Sequence, residues 1–238
     1  MGKRLLNLFW CLLLMFFFLP LHLDAAEVVV VESIGMDLHP GQVLDGGRPL
    51  ALTLGQRVTL VASDGRMIKL RGPSETAPAP EAEPPKGAVT KSLKDLISTR
   101  QADVSSLGVV RAGDSQVALP EGWLLDILHA GSRCIEEGRP PVLWRGSAAT
   151  PDSQVVVAPV DGSWSAQATW PAGADRLELP ASLAFQDRHT YTVTVDGGSV
   201  QMTVFVIPRT LGSEAAKAAW MVEMRCDSQA KALLAGSP

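Results

Sequence analysis

The chain has 238 residues, 46% hydrophobic and 19% charged, with a formal net charge of −4. This length suits one large or two modest domains, and this balance a soluble globular protein. The mildly acidic surface argues against nucleic-acid binding, which needs clustered Lys and Arg to replace counterions. The 17 Pro and 21 Gly lie mostly outside the periodic runs, as a turn-rich β protein requires.

Residues 1–26 read as a secretory signal peptide. Lys3 and Arg4 precede the apolar run Leu8 to Leu19, then Pro20 and the cleavage-like Leu23-Asp24-Ala25-Ala26. The run is shorter than the roughly 20 residues of a spanning helix, so the cleaved protein is not expected to cross a membrane. An uncleaved N-terminal anchor is the alternative. The expected location is therefore periplasmic or secreted. Removing Lys3, Arg4 and Asp24 from 21 basic and 25 acidic residues leaves a net charge of −5.

Residues 27–72 read as a small β module. Glu27 to Glu32 carries four consecutive valines, a buried strand. Leu50, Leu52 and Leu54 alternate with Ala51 and Thr53. A hairpin follows, Arg57 to Ala62 and Met67 to Arg71, turned by Asp64-Gly65. A two-residue loop there sets Val61 opposite Ile68 and Leu60 opposite Lys69. The residues Gly41-Gln42-Val43, Leu50-x-Leu52, Val58-x-Leu60 and Asp64-Gly65-Arg66 with Ile68 and Leu70 make this stretch similar to the periplasmic β module of FecR-type envelope proteins. That resemblance implies a β module outside the cytosol. The cytoplasmic anti-sigma region and membrane span that precede such modules are not expected in this chain. More broadly the chain resembles uncharacterised exported bacterial proteins, a likeness that implies no activity.

Residues 73–87 contain five Pro and three Glu and read as a solvated polyproline spacer, reaching some 40 Å at about 3.1 Å per residue. Residues 88–133 read as a helix followed by short strands. Leu93, Leu96 and Ile97 fall at helical spacing. Val109 to Gly113, Val117 to Leu119 and Trp123 to Leu128 read as brief strands.

Residues 134–208 read as an Ig-like β-sandwich. Val142 to Arg145 and Gln154 to Ala158 are strands. Asp161-Gly162 then turns the chain into Trp164 to Trp170, with Trp164, Ala166, Ala168 and Trp170 on one face and Ser165, Gln167 and Thr169 on the other. Leu177 to Leu179 before Pro180 reads as an edge strand, because Pro cannot donate to a ladder. The strongest signal is His189 to Ile207, where two β-branched runs flank Asp196-Gly197-Gly198. A two-residue loop, at Asp196-Gly197 or Gly197-Gly198, puts Tyr191, Val193 and Val195 on the same side as Val200, Met202, Val204 and Val206. Thr190, Thr192, Thr194 and Thr203 then form the wet face. Strands every 8–12 residues complete the sandwich pattern.

Residues 209–238 read as a C-terminal helix capped by Ser213. Ala216, Ala219, Trp220, Cys226, Ala230, Leu233 and Leu234 form its apolar stripe. Glu223 falls inside that stripe. Either it pairs with an arginine such as Arg145 or Arg139, or the helix breaks near Cys226 with Asp227 as a new cap.

Cys134 and Cys226 are the two cysteines of the exported chain, and in an oxidising compartment they are expected to pair. The long loop so closed is worth on the order of 4 kcal/mol in chain entropy. A redox pair or a metal site would need C-x-x-C or a nearby His, which neither cysteine has.

The three mature histidines, His39, His129 and His189, show neither H-E-x-x-H nor other metal-ligand spacing. G-x-S-x-G, P-loop and G-x-G-x-x-G motifs are absent from the sequence. Glu136 and Glu137 are adjacent carboxylates with more use as solvated charges than as an acid–base pair. No catalytic residue, metal or cofactor is expected. Trp123, Trp144, Trp164 and Trp170 are candidate contact residues for a ligand or partner, although core packing also accounts for them and for Trp220. The reading is a non-enzymatic interaction or scaffold protein of the cell envelope, its partner an envelope protein or polysaccharide. A carbohydrate- or peptidoglycan-binding module using surface Trp is one alternative. A hydrolase with a site assembled from distant residues is the other.

Overall fold

A computed structural model describes residues 26–79, 91–99, 118–147, 151–180, 182–183 and 185–236. The signal peptide up to residue 25, residues 80–87 of the spacer and the strand read at 109–113 lie outside them.

The fold is mainly β, with several sheets and a helical C-terminus. The N-terminal unit contains β1 (Glu27–Ile34), β2 (Val43–Asp45), β3 (Leu50–Leu52), β4 (Arg57–Ala62), β5 (Met67–Arg71) and β6 (Ser74–Thr76). Four of these form a sheet in the order β2-β1-β4-β5, and β3 pairs with β6. The valine run of β1 is apolar on both faces because both are covered. Val28 and Val30 pack with Leu52, Val58 and Leu60, while Val29 and Val31 face Trp220 and its neighbours.

Two details depart from the sequence reading. The β4–β5 loop has three residues, not two: Ala62 N–H donates to Arg66 O at 3.0 Å and Gly65 N–H to Ala62 O at 2.8 Å. The register therefore sets Val61 opposite Met67, Leu60 opposite Ile68 and Thr59 opposite Lys69. Gly65 has φ +90°, and Asp64 accepts from both Arg66 N–H and its guanidinium. This is the three-residue loop with a left-handed glycine that competes with the two-residue turn. The start of the spacer is also ordered. Ser74 to Thr76 zips onto Leu50 to Leu52, and Ala79 is buried with its N–H on Gly46 O.

The helix at residues 91–99, α1, buries Leu93 and Ile97. Next come β7 (Leu124–Asp126), β8 (Gly131–Glu136), β9 (Val142–Trp144), β10 (Ser153–Pro159), β11 (Ala166–Trp170), β12 (Arg176–Glu178), β13 (His189–Val195) and β14 (Gly198–Ile207). They make a five-stranded sheet, β11-β10-β13-β14-β8, facing a three-stranded sheet, β12-β9-β7. Leu125 and Leu143 from the small sheet meet Val155, Val157, Trp170, Tyr191, Val193, Met202 and Val204 from the large one. The neighbours β10, β13 and β14 have the C-F-G order of an immunoglobulin-type sandwich. Tyr191, near the start of β13, accepts the Gln186 N–H on its hydroxyl at 2.8 Å. That is the tyrosine corner of such folds.

The β13–β14 loop is Asp196-Gly197, with φ +48° and +87°, the geometry of a type I′ turn. Tyr191 faces Met202 and Val193 faces Val200, as the alternation requires. On the wet face Thr190 and Thr203 hydroxyls lie 3.0 Å apart. β12 is an edge strand of the small sheet, just before Pro180. The sandwich starts earlier than residue 134, because β7 and β8 both belong to it. β8 runs parallel to β14, pairing Cys134 with Phe205. Ala118 and Leu119 are not in a strand.

The C-terminal helix is two helices, α2 (Glu214–Glu223) and α3 (Asp227–Gly236). Ser213 caps α2, its hydroxyl accepting Ala216 N–H at 3.1 Å. That hydroxyl also donates to Ser63 O in the β4–β5 loop. The chain breaks at Met224 to Cys226, with Arg225 at φ +64°. Glu223 pairs with Lys69 of β5 at 2.8 Å rather than with Arg145 or Arg139.

Candidate functional site

The convergence of sheet, helices and sandwich is centred on Cys134. Its sulfur is bonded to Cys226 (S–S 2.10 Å, Cα–Cα 6.0 Å), and both residues are buried. The same residue receives a second clasp. Gln229, 1% exposed, accepts Cys134 N–H at 2.7 Å and donates its amide to Cys134 O at 2.8 Å and Gly122 O at 3.2 Å. β8 is the last strand of its sheet, so its outer backbone groups need partners. One side-chain amide supplies both at Cys134, standing in for a neighbouring strand. Gly122 permits the approach, since a Cβ there would lie 2.8 Å from Gln229 O and Leu233 Cβ. Sequence reasoning missed Gln229. The signal was a lone amide three residues after Cys226, next to Ala230 and in line with Leu233 on an apolar stripe.

The four candidate tryptophans are not brought together on one surface. Trp144 and Trp170 are 3% and 0% exposed and belong to the interior. Neither is a contact residue: Trp170 turns into the sandwich interior, whereas Trp144, on the other face of its strand from Leu143, packs against Leu119 and Leu124. Trp170 donates Nε1–H to Ala174 O at 3.1 Å, and the Arg145 guanidinium lies 4.6 Å over its ring. Trp123 and Trp164 are partly exposed. The Trp123 ring already carries the Arg139 guanidinium at 4.8 Å and the Lys217 ammonium at 5.7 Å. Trp164 leans on Tyr191, with centroids 5.9 Å apart. A stacking platform of four rings is therefore not present in this arrangement. Trp220, 1% exposed, fills the core between the N-terminal sheet and the helices.

Several ionisable residues of the described chain are engaged in the framework. Glu136 holds Lys217 and Arg139, and Glu137 holds Arg209 at 3.3 Å. The Lys217 hydrogen bond, helped by the charges of Lys217 and Arg139, holds the Glu136 carboxyl below its ordinary value. Arg133 is 8% exposed and is tied to backbone: Nε donates to Asp126 O at 2.7 Å, and Nη2 to His129 O. Burial lowers its pKa, while Asp126 opposes that shift. Asp126 also binds His129 Nδ1 at 2.8 Å and Leu128 N–H at 2.7 Å. The D-x-x-H spacing could have revealed this pair. Its carboxylate orients the imidazole, and all its contacts shape the β7–β8 turn. Buried Arg145 donates to Ala174 O, Pro171 O and Ser153 Oγ, knitting β9 to the loop after β11. His39 and His189 are engaged elsewhere, with Asp37 and with Asp187 O. Among the described residues no group of three or more His, Cys, Asp or Glu is placed to hold a metal, and no helix is long and apolar enough to cross a membrane.

No protein-family model matches the sequence, and no curated protein matches it.

Proposed function

We propose that this chain is an exported, non-enzymatic scaffold of the cell envelope, presenting the loops of its sandwich to an envelope protein. The observation that carries this reading is how the reactive side chains are used. Glu136, Arg133, Arg145 and Gln229 each hold one segment of the chain against another. Such a body is stiff, and stiff bodies present loops at little entropic cost on binding. The leader, the disulfide and the FecR-like pattern of residues 41–70 all accord with a place outside the cytosol.

The test is in vivo photo-crosslinking with a benzophenone side chain at single loop positions. Positions 160 and 172 in the sandwich loops and position 54 in the N-terminal unit are suitable, since Val160, Ala172 and Leu54 are exposed. The proposal expects one discrete adduct from a sandwich loop and none from position 54. Absence of any adduct from the sandwich loops, with protein abundance unchanged, would refute it.

A further inference from the structure

Strand β11 ends the five-stranded sheet and, among the described residues, pairs only with β10. Every other edge of these sheets is blunted. β8 is clasped by Gln229. β5 carries Lys69 and Arg71, and β2, β3, β6, β7 and β12 have three residues each. β11 and its approach, Trp164 to Trp170, contain no charge, proline or glycine. An uncharged edge without proline or glycine is a template for another strand.

The direction of its free backbone groups can be worked out. In an antiparallel ladder, successive residues point their N–H and C=O to opposite sides. Gln154 C=O accepts Asp196 N–H, so Gln154 turns away from β11. Ser153, Val155 and Val157 therefore turn toward it, binding Trp170, Ala168 and Ala166. The groups left facing outward belong to Ser165, Gln167 and Thr169.

The stretch Trp-Ser-Ala-Gln-Ala-Thr-Trp reads the same in both directions about Gln167, with Ser165 and Thr169 as equivalent hydroxyls. We propose that the β11 edge joins a second copy of this chain, antiparallel about a two-fold axis at Gln167. A two-fold interface puts the same patch on both subunits, residue i meeting j and j meeting i. Gln167 would meet its own copy, Ser165 would meet Thr169, Ala166 would meet Ala168, and Trp164 would meet Trp170. The central residue is one whose N–H and C=O point outward, as a hydrogen-bonded pair on the axis requires. The register gives about six new backbone hydrogen bonds, two at each outward-facing residue. Opposed Ser and Thr hydroxyls are favourable cross-strand pairs. The half-exposed Trp164 gains cover on the inner face. The result is a continuous ten-stranded sheet across two protomers. This goes beyond the scaffold role and does not rest on it.

The experiment is sedimentation equilibrium of the full chain from about 1 to about 300 micromolar, the range of modest protein interfaces. Wild type is expected to dimerise. Gln167→Lys and Gln167→Glu each set like charges directly opposite across the axis and should weaken the dimer at least tenfold. An equimolar mixture of the two should restore it as a heterodimer. Gln167→Pro removes an outward N–H and leaves the β10 ladder intact, so its circular dichroism should match wild type while dimerisation is lost. A monomeric wild type over the whole range overturns the proposal. So does a dimer indifferent to these substitutions, or a charge pair that fails to restore association.

Discussion

Gln229 offers a test in which a single heavy atom changes. Gln229→Glu keeps an acceptor for Cys134 N–H but turns the donating nitrogen, 2.8 Å from Cys134 O and 3.2 Å from Gly122 O, into oxygen. Ionised, that oxygen faces two carbonyls in a buried site. Protonated, it donates to one of them much as the amide does. The folded protein should therefore hold the proton well above the unfolded value of about 4.3. Between those two values the folded state carries a proton that the unfolded state has released, so stability falls as pH rises, by about 1.4 kcal/mol per unit. If the folded value reaches 7, the variant loses about 3 kcal/mol on going from about pH 4 to pH 7. Gln229→Leu is the control. It strands the buried N–H and C=O of Cys134, at about 1–3 kcal/mol per stranded group, equally at every pH. Urea unfolding of both variants and wild type at several pH values reads the difference directly. A pH-independent gap between the two variants would show that the introduced carboxyl is in water and that the clasp on β8 does not exist.

Replacing both cysteines, Cys134→Ala with Cys226→Ala, opens a loop spanning 92 positions and should cost about 4–5 kcal/mol in urea unfolding; a cost below about 1 kcal/mol would contradict the assigned role. Tyr191→Phe retains the ring contacts to Phe185 at 4.6 Å and Trp164 at 5.9 Å but leaves Gln186 N–H without its acceptor, for a loss of about 1–2 kcal/mol. An unchanged unfolding midpoint would remove the tyrosine corner from the account. Glu136 has a folded pKa lowered first by its Lys217 hydrogen bond, so its contribution is present above the unfolded value of about 4.3 and is lost as pH falls through the lowered folded value. Glu136→Gln should therefore be less stable than wild type by about 0.5–1 kcal/mol at neutral pH, the upper range for a pair near the surface, as suits one that is part-buried, and match it in acid; a gap that widens on acidification would reverse the assignment.

What was legible in the sequence was mostly local. Asp196-Gly197 fixes its hairpin because both residues accept positive φ and the alternation on either side tolerates no slip. Ser213 announces α2 through its own hydroxyl. Asp64-Gly65 was legible as a turn but not as a loop length, since a left-handed glycine serves two-residue and three-residue loops alike. Contacts across long separations left no periodic trace. β8 joins β14 in parallel some seventy positions later, and a short parallel edge strand looks like any brief mixed run. The spacer's proline content hid Ser74 to Thr76, whose pairing is set by Leu50 to Leu52 on the partner strand. The tryptophans show the same limit. Alternation puts Trp164 and Trp170 on one face, yet only the three-stranded sheet decides that Trp170 is sealed and Trp164 is half open.

The C-terminal helices explain why two β units with separate sheets act as one body. β1 and β4 are apolar on both faces, a pattern stable only when the sheet is covered twice. Their own strands cover one side with Leu52 and its neighbours, and α2 covers the other with Ala216 and Trp220. β8 has an edge that would attract foreign strands, and α3 covers it with Gln229. Each helix thus completes a different β unit, and a rigid join between the helices becomes a rigid join between the units. The break between them is where such a join would ordinarily be weakest, because Arg225 adopts a left-handed conformation that non-glycine residues rarely hold. Cys226 sits in that break, and its bond to Cys134 pins the hinge itself to the sandwich. The disulfide therefore ties the junction of the two helices to the sandwich, inside the same core that seats the N-terminal sheet on α2.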